Sequence, residues 1–300
     1  LKVYKMKKVL KNEGLSSQLK YLDVAWQSFI TGKINTQNLF DVTKLAKYYA
    51  LSDLVNGQHT HFMGNELYYL NPITHLLEPI GREWDSPYKK YDEYDIFIND
   101  NTLGNTDFKT TRYQNLILND PQFVLSYLDA LREFSTNTFI SNFINSIEQE
   151  ISTTRAILYT EYPHLTSSED FLYDLVDKIT TTLNSDIAGL LSFQLEGKIS
   201  DEMVFSVNND SKVPVIIKEI SVGDETFDLN TVVPHNYYKN IHVKTMDLYD
   251  RSFDMRVTYR AGGQLQWHTK KIIAWPDNEI EIIYSTNDEI GLPYIDGSYI

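Results

Sequence analysis

The densest run of reactive side chains lies in residues 58–85, QHTHFMGNELYYLNPITHLLEPIGREWD. It holds His59, His61 and Asn65, and then Arg82, Glu83 and Asp85. A histidine accepts a proton near neutral pH, so His59 and His61 are candidate general bases. An asparagine oxygen and a carboxylate are hard ligands suited to Mg²⁺ or Mn²⁺, so Asn65 with Glu83 or Asp85 is a candidate metal set. Arg82 can meet a phosphate or pair with Glu78 or Glu83, and the ion pair is the favoured reading. His59, His61 and an acid could also hold zinc, although the H-x-H spacing alone is a weak signal. No P-loop, nucleophile elbow, HExxH or dinucleotide fingerprint occurs in the chain.

These residues need elements to hold them. Residues 66–70 (ELYYL) and 75–80 (HLLEPI) read as the two strands of a hairpin, with Asn71-Pro72 as its turn and Gly81 as its end. Polar groups at the open end of such a hairpin come close together. Upstream, Leu15, Leu19, Leu22, Ala25, Trp26 and Phe29 have the three-and-four spacing of an amphipathic helix over residues 15–30, closed by Thr31-Gly32-Lys33. A second helix is expected over residues 39–55, stopped by Asn56-Gly57.

The run YYALSDLVNGQHTHFMGNELYYLNPITHLLEPIGREWD resembles the spore-coat protein H (CotH) kinase-like family. The resemblance rests on Tyr49-Ala50-Leu51, the loop at residues 56–64, Asn65 before an aromatic strand, Asn71-Pro72, and residues 77–80 leading to Glu83 or Asp85. It covers residues 15–90 and extends towards residue 190. It implies an atypical protein-kinase fold in which a loop acid is the catalytic base. It further implies that Asn65 and Glu83 or Asp85 hold Mg or Mn on ATP, with Arg82 as a phosphate contact. A surface or coat protein, in an extracellular or cell-surface setting, would be the partner.

This chain departs from that pattern. The family's loop acid should fall near Thr60, yet no acid occurs between Asp53 and Glu66, and His59 and His61 flank the position. Counting from Asn65, the metal acid falls at Glu83, whereas the Trp-Asp pair typical of the family falls at Asp85. Such a kinase also needs a β-rich lobe with a lysine ahead of the helices. Residues 1–14 are too few for one, and a start at Leu1 suggests processing or a fragment. The expectation is a degenerate, pseudokinase-like form or a fragment of a surface or spore-coat kinase. The alternative is a non-catalytic cell-surface protein whose strand-rich part engages a glycan or a protein.

The rest of the chain fits a two-part α+β organisation. Residues 1–192 read as a mostly helical, C-lobe-like domain containing the hairpin, and residues 193–300 as an antiparallel β-sandwich. Residues 86–111 read as an acidic loop with one strand at 95–98. Helices are expected from Asp120-Pro121, over residues 137–159, and from a Ser167 cap to about residue 191. Seven short strand-like runs follow between residues 204 and 284, with Tyr237, Tyr238, Tyr249, Tyr259 and Trp267 among them. Exposed aromatics stack on sugars or anchor protein contacts, but Tyr259 and Trp267 read first as core.

The net charge is −14, which argues against a nucleic-acid partner. The charge is uneven: residues 1–90 carry a balance of +4 and the remainder −18. There is no cysteine, so disulfides and thiolate chemistry are excluded. No apolar run reaches the roughly 18 residues of a membrane span.

Overall fold

The computed structural model describes residues 4–61, 65–82, 95–100, 112–164, 169–184, 191–199, 202–235, 237–244, 253–261, 266–274, 281–282 and 294–295. It is a mixed α+β fold with antiparallel sheets. Helices come first. After the short α1 (Met6–Leu10), Asn12 opens α2 (Glu13–Ile30), its side-chain oxygen accepting from Leu15 N at 3.0 Å. Gly32, at φ +74°, turns the chain away in a conformation that a side chain would strain.

Asp41 caps α3 (Val42–Leu54) in the same way, accepting from Lys44 N. Most of α3 is buried, including Leu45, Tyr49 and Ala50. The helix ends in a Schellman turn. Asn56 lies at φ 52°, its N–H reaches Asp53 O at 3.0 Å, and Gly57 N–H reaches Ser52 O at 2.7 Å. Four residues in a tight 3-10 turn follow, Gln58–His61.

The hairpin is β1 (Leu67–Leu70) against β2 (Leu77–Ile80), with Leu67 opposite Ile80 and Leu70 opposite Leu77. Asn71 Oδ1 accepts from Ile73 N and Thr74 N, an Asx turn that fixes the tip. The hairpin is tied to the entry of α3, because Asp41 N donates to Leu77 O and Leu77 N donates to Leu39 O.

Residues 95–98 are not a strand. Ile96, Phe97 and Ile98 are all fully buried, so the alternation of a half-buried strand is missing, and Phe97–Asp100 forms one helical turn, α4. Helix α5 (Arg112–Leu118), which no capping signal announced, precedes α6 (Pro121–Phe134). Asp120 caps α6 by accepting from Gln122 N and Phe123 N, with Pro121 at the first position, as the sequence suggested.

The single helix expected over residues 137–159 is two. Ile147, at φ −121° and ψ 17°, ends α7 (Asn137–Ser146) and opens α8 (Glu148–Glu161). None of α8 is buried, so nothing in the core holds it collinear with α7. Helix α9 (Asp170–Leu183) is shorter than expected, and the proposed Ser167 cap lies outside the described residues. Strand β3 (Leu191–Ile199) begins at the residue where the sequence places the helix end.

From there the described residues form strands only: β4 (Glu202–Asn209), β5 (Val215–Val222), β6 (Glu225–Val233), β7 (Tyr237–Lys244), β8 (Phe253–Ala261), β9 (His268–Ala274), β10 (Glu281–Ile282) and β11 (Tyr294–Ile295). They make a three-stranded sheet β3-β4-β7, a four-stranded sheet β6-β5-β8-β9, and the short pair β10-β11. The chain changes sheet between β4 and β5 and returns between β6 and β7, the connectivity of a sandwich. Asn209 latches both corners. Its Nδ2 donates to Val213 O, Val233 O and Pro234 O at 2.9–3.1 Å, and its Oδ1 accepts from Ser211 N and Oγ. Tyr259 is buried, while Trp267 is 40% exposed and so is not core. Tyr249 lies outside the described residues. The apolar cores of the helical and strand-rich parts form one continuous cluster.

Candidate functional site

Two buried carboxylates fix the loop that follows α3. Asp53, fully buried, accepts from Gln58 Nε2 at 2.6 Å, from Phe97 N at 2.9 Å, and from the Tyr127 hydroxyl. Gln58 Nε2 also donates to Asp95 O, and Gln114 Nε2 donates to His61 O, each at 2.7 Å. The loop is thereby bonded to α3, α5 and α6 and to the residues before α4. A buried carboxylate persists only with such donors.

Glu66 is the second carboxylate. Its Oε1 accepts from the Tyr49 hydroxyl at 2.6 Å and from His61 Nδ1 at 2.9 Å, and its Oε2 from the Tyr68 hydroxyl at 2.8 Å and the Tyr113 hydroxyl. Burial opposes ionisation of Glu66, but His61 and the tyrosine hydroxyls outweigh it and hold the carboxyl below its ordinary value. Burial, reinforced by the Glu66 charge, pushes the Tyr49 and Tyr68 hydroxyls well above theirs, so both remain donors.

His61 lies flat against Tyr49, with ring centroids 3.9 Å apart, and its Nε2 sits 2.6 Å from Ser52 Oγ. Ser52, His61 and Glu66 thus have the connectivity of a serine–histidine–acid triad. Solvent does not reach it. Ser52 is fully buried inside α3, and Ser52 Oγ is also 2.8 Å from Tyr49 O. In this arrangement His61 is a core cross-link with both nitrogens engaged, neither an accessible base nor a zinc ligand beside His59.

The open end of the hairpin is different. Continuing the β1–β2 register by two residues sets Asn65 and Arg82 opposite each other. Thr60 Oγ1 donates to Arg82 O at 2.7 Å, which draws the exit of β2 against the loop. Thr60 has one hydroxyl proton, so its 2.6 Å contact with Tyr48 is donated by the tyrosine. Asn65 Nδ2 donates to His59 O at 3.1 Å and lies 3.5 Å from His59 Nδ1. This turns the amide hydrogens inward and leaves Asn65 Oδ1 bonded to none of the described residues. His59 is half-buried and Arg82 is exposed. Glu78, considered as a partner for Arg82, instead meets Lys44 Nζ at 2.8 Å and Asn71 Nδ2 at 2.7 Å. Glu83 and Asp85 lie outside the described residues.

Among the described residues no three His, Asp or Glu side chains converge as a metal site would require. Sequence reading singled out His59, His61, Asn65 and Arg82, of which the fold gathers His59, Asn65 and Arg82 around the hairpin mouth and sends His61 into the core. It overlooked Ser52, Asp53 and Glu66. The available signal was the Ser52-Asp53 pair, polar within an otherwise apolar stretch of α3. No protein-family model, no curated protein and no solved structure matches the chain.

Proposed function

We propose that the helical part is the C-lobe-like module of a CotH-like atypical kinase fold that no longer transfers phosphate, a pseudokinase acting at the cell surface on a surface or coat protein. One observation carries the loss of chemistry. The only acids bounding the loop, Asp53 and Glu66, are buried and hydrogen-bonded, and residues 54–65 contain no acid. A group that orients a nucleophile must face the substrate and have a lone pair to give, and neither carboxylate does.

The order helix, loop, hairpin supports the kinase-like layout. Asn65 fits a hard cation, because its oxygen is turned away from the His59 carbonyl and is unbonded among the described residues. Asn65 with Glu83 or Asp85 would hold Mg²⁺ or Mn²⁺, and Arg82 would meet a phosphate of ATP. Such a metal supplies charge neutralisation on the phosphates. The chain's own contribution is to hold the hairpin mouth against the loop through Thr60.

The test is ATP turnover with Mg²⁺ or Mn²⁺ on the wild type and Asn65→Ala, with Mn²⁺ binding measured in parallel. The expected result is no turnover above background, and Mn²⁺ binding by the wild type that Asn65→Ala weakens. Robust autophosphorylation abolished by Asn65→Ala would refute the loss of transfer. Equal Mn²⁺ affinity in both proteins would refute the metal assignment.

A further inference from the structure

A groove of about 890 Å³ lies where α6 and the turn after α2 meet the sheet β6-β5-β8-β9. Its floor is apolar, with Phe29, Leu125 and Ile216. Its strongest charges are matched within the protein. Arg260 Nη2 donates to Asp129 Oδ1, which also receives Arg132 at 3.3 Å, and Asp120 accepts from Thr36 N, Gln122 N and Phe123 N. The rim is neutral: Trp267, 40% exposed, with the exposed amides Gln37, Gln122 and Asn230. Those three amide side chains bond to none of the described residues.

Asn230 stands at a β-bulge. Strand β6 carries Leu229 and Asn230 where β5 carries only Lys218, and Asn230 adopts φ 43°. Bulges of this kind re-aim a side chain next to a binding site. A second hollow of about 380 Å³ shares Ile34 and Asn35 with the first and carries Tyr21, 44% exposed. The two hollows adjoin at these residues, and each carries one exposed aromatic side chain.

An indole face stacks on the apolar face of a sugar ring, and a primary amide both donates to and accepts from neighbouring hydroxyls. Arg260, the cation lining the groove beside Trp267, is matched by Asp129 and so offers little to an anion there, while Lys33 stands exposed in the second hollow. We propose that this groove binds a neutral oligosaccharide, with Trp267 as the stacking platform and Gln122 and Asn230 as the hydroxyl-binding amides. The proposal stands independently of the kinase reading.

The experiment is isothermal titration of the chain with linear hexaoses of glucose, mannose and N-acetylglucosamine, and with a sulfated hexaose as the anionic control. It is repeated on Trp267→Ala and Gln122→Ala, both at exposed positions, with circular dichroism to confirm the fold. One neutral hexaose is expected to bind, at least tenfold more weakly to Trp267→Ala and about threefold more weakly to Gln122→Ala. Binding of none of the neutral hexaoses, binding unchanged in Trp267→Ala, or preference for the sulfated hexaose would overturn the proposal.

Discussion

Replacing Glu66 by Gln changes a charge and almost no volume, and it tests the buried network directly. The carboxylate accepts four hydrogen bonds, from Tyr49, His61, Tyr68 and Tyr113. A bond to a charged acceptor is worth about 1 kcal/mol more than a neutral one. Four such bonds give about 4 kcal/mol, reduced because glutamine avoids the cost of burying a charge. The glutamine NH₂ would also face hydroxyls that now donate, and these must rotate to accept. A net loss of about 2–3 kcal/mol is expected at neutral pH, or about 1 M in urea midpoint at a slope of about 3 kcal/mol per M.

The loss must also depend on pH. The folded-state pKa of Glu66 is held below the ordinary glutamate value of about 4.3. The carboxylate's contribution is therefore complete above that value and disappears as pH falls through the folded pKa. Urea titrations of the two proteins, followed by tryptophan fluorescence, should differ fully at pH 7 and begin to converge only once the pH falls below the ordinary glutamate value. A loss under about 0.5 kcal/mol, or a difference that persists unchanged to pH 3, would refute this account of the network.

Tyr127→Phe removes one donor from the buried Asp53 carboxylate and should lower stability by about 1–3 kcal/mol in chemical unfolding. A neutral effect would mean that the Tyr127 hydroxyl bond is dispensable to Asp53. Thr60→Val keeps the shape but deletes the bonds to Tyr48 and Arg82 O; it should cost about 1–3 kcal/mol and speed amide exchange around Arg82, measured by mass spectrometry. Exchange there unchanged from wild type would show that the hairpin is not held through Thr60.

The fold was legible where one rule governs. Alternation separated the strands after residue 200 from the helices before them, and Asp120-Pro121 marked the start of α6 because capping is local chemistry. The sequence misled where tertiary burial overrides period. Ile96, Phe97 and Ile98 look like a strand because they are consecutive and apolar, but all three are buried and the chain enters a helical turn at Phe97, whose N–H bonds to a carboxylate 44 residues away. Residues 137–159 look like one helix because apolar spacing persists through Ile147, while the absence of any buried residue on α8 is a property of the fold. The site was half visible. The hairpin was legible from its Asn71-Pro72 turn, which sets Asn65 and Arg82 opposite each other at its mouth, whereas Glu83 and Asp85, expected beside Asn65, lie outside the described residues. His61 was misjudged because a loop histidine before a strand gives no local sign that three tyrosines and Glu66 await it in the core.

Asn209 has a consequence for the order in which the chain is made. The sheet-changing corner after β4 depends on carbonyls of Val233 and Pro234, 24 and 25 residues further on. Until those carbonyls arrive, the amide of Asn209 has only Val213 O to meet, and burying it would leave donors unmatched. On the ribosome, synthesis at about 5–20 residues per second leaves a gap of roughly 1–5 seconds between the two corners. Through that interval β4 and β5 present apolar surface without their final neighbours. A nascent chain arrested after β5 should therefore be protease-sensitive, and protection should follow only once β8, the second neighbour of β5, has emerged.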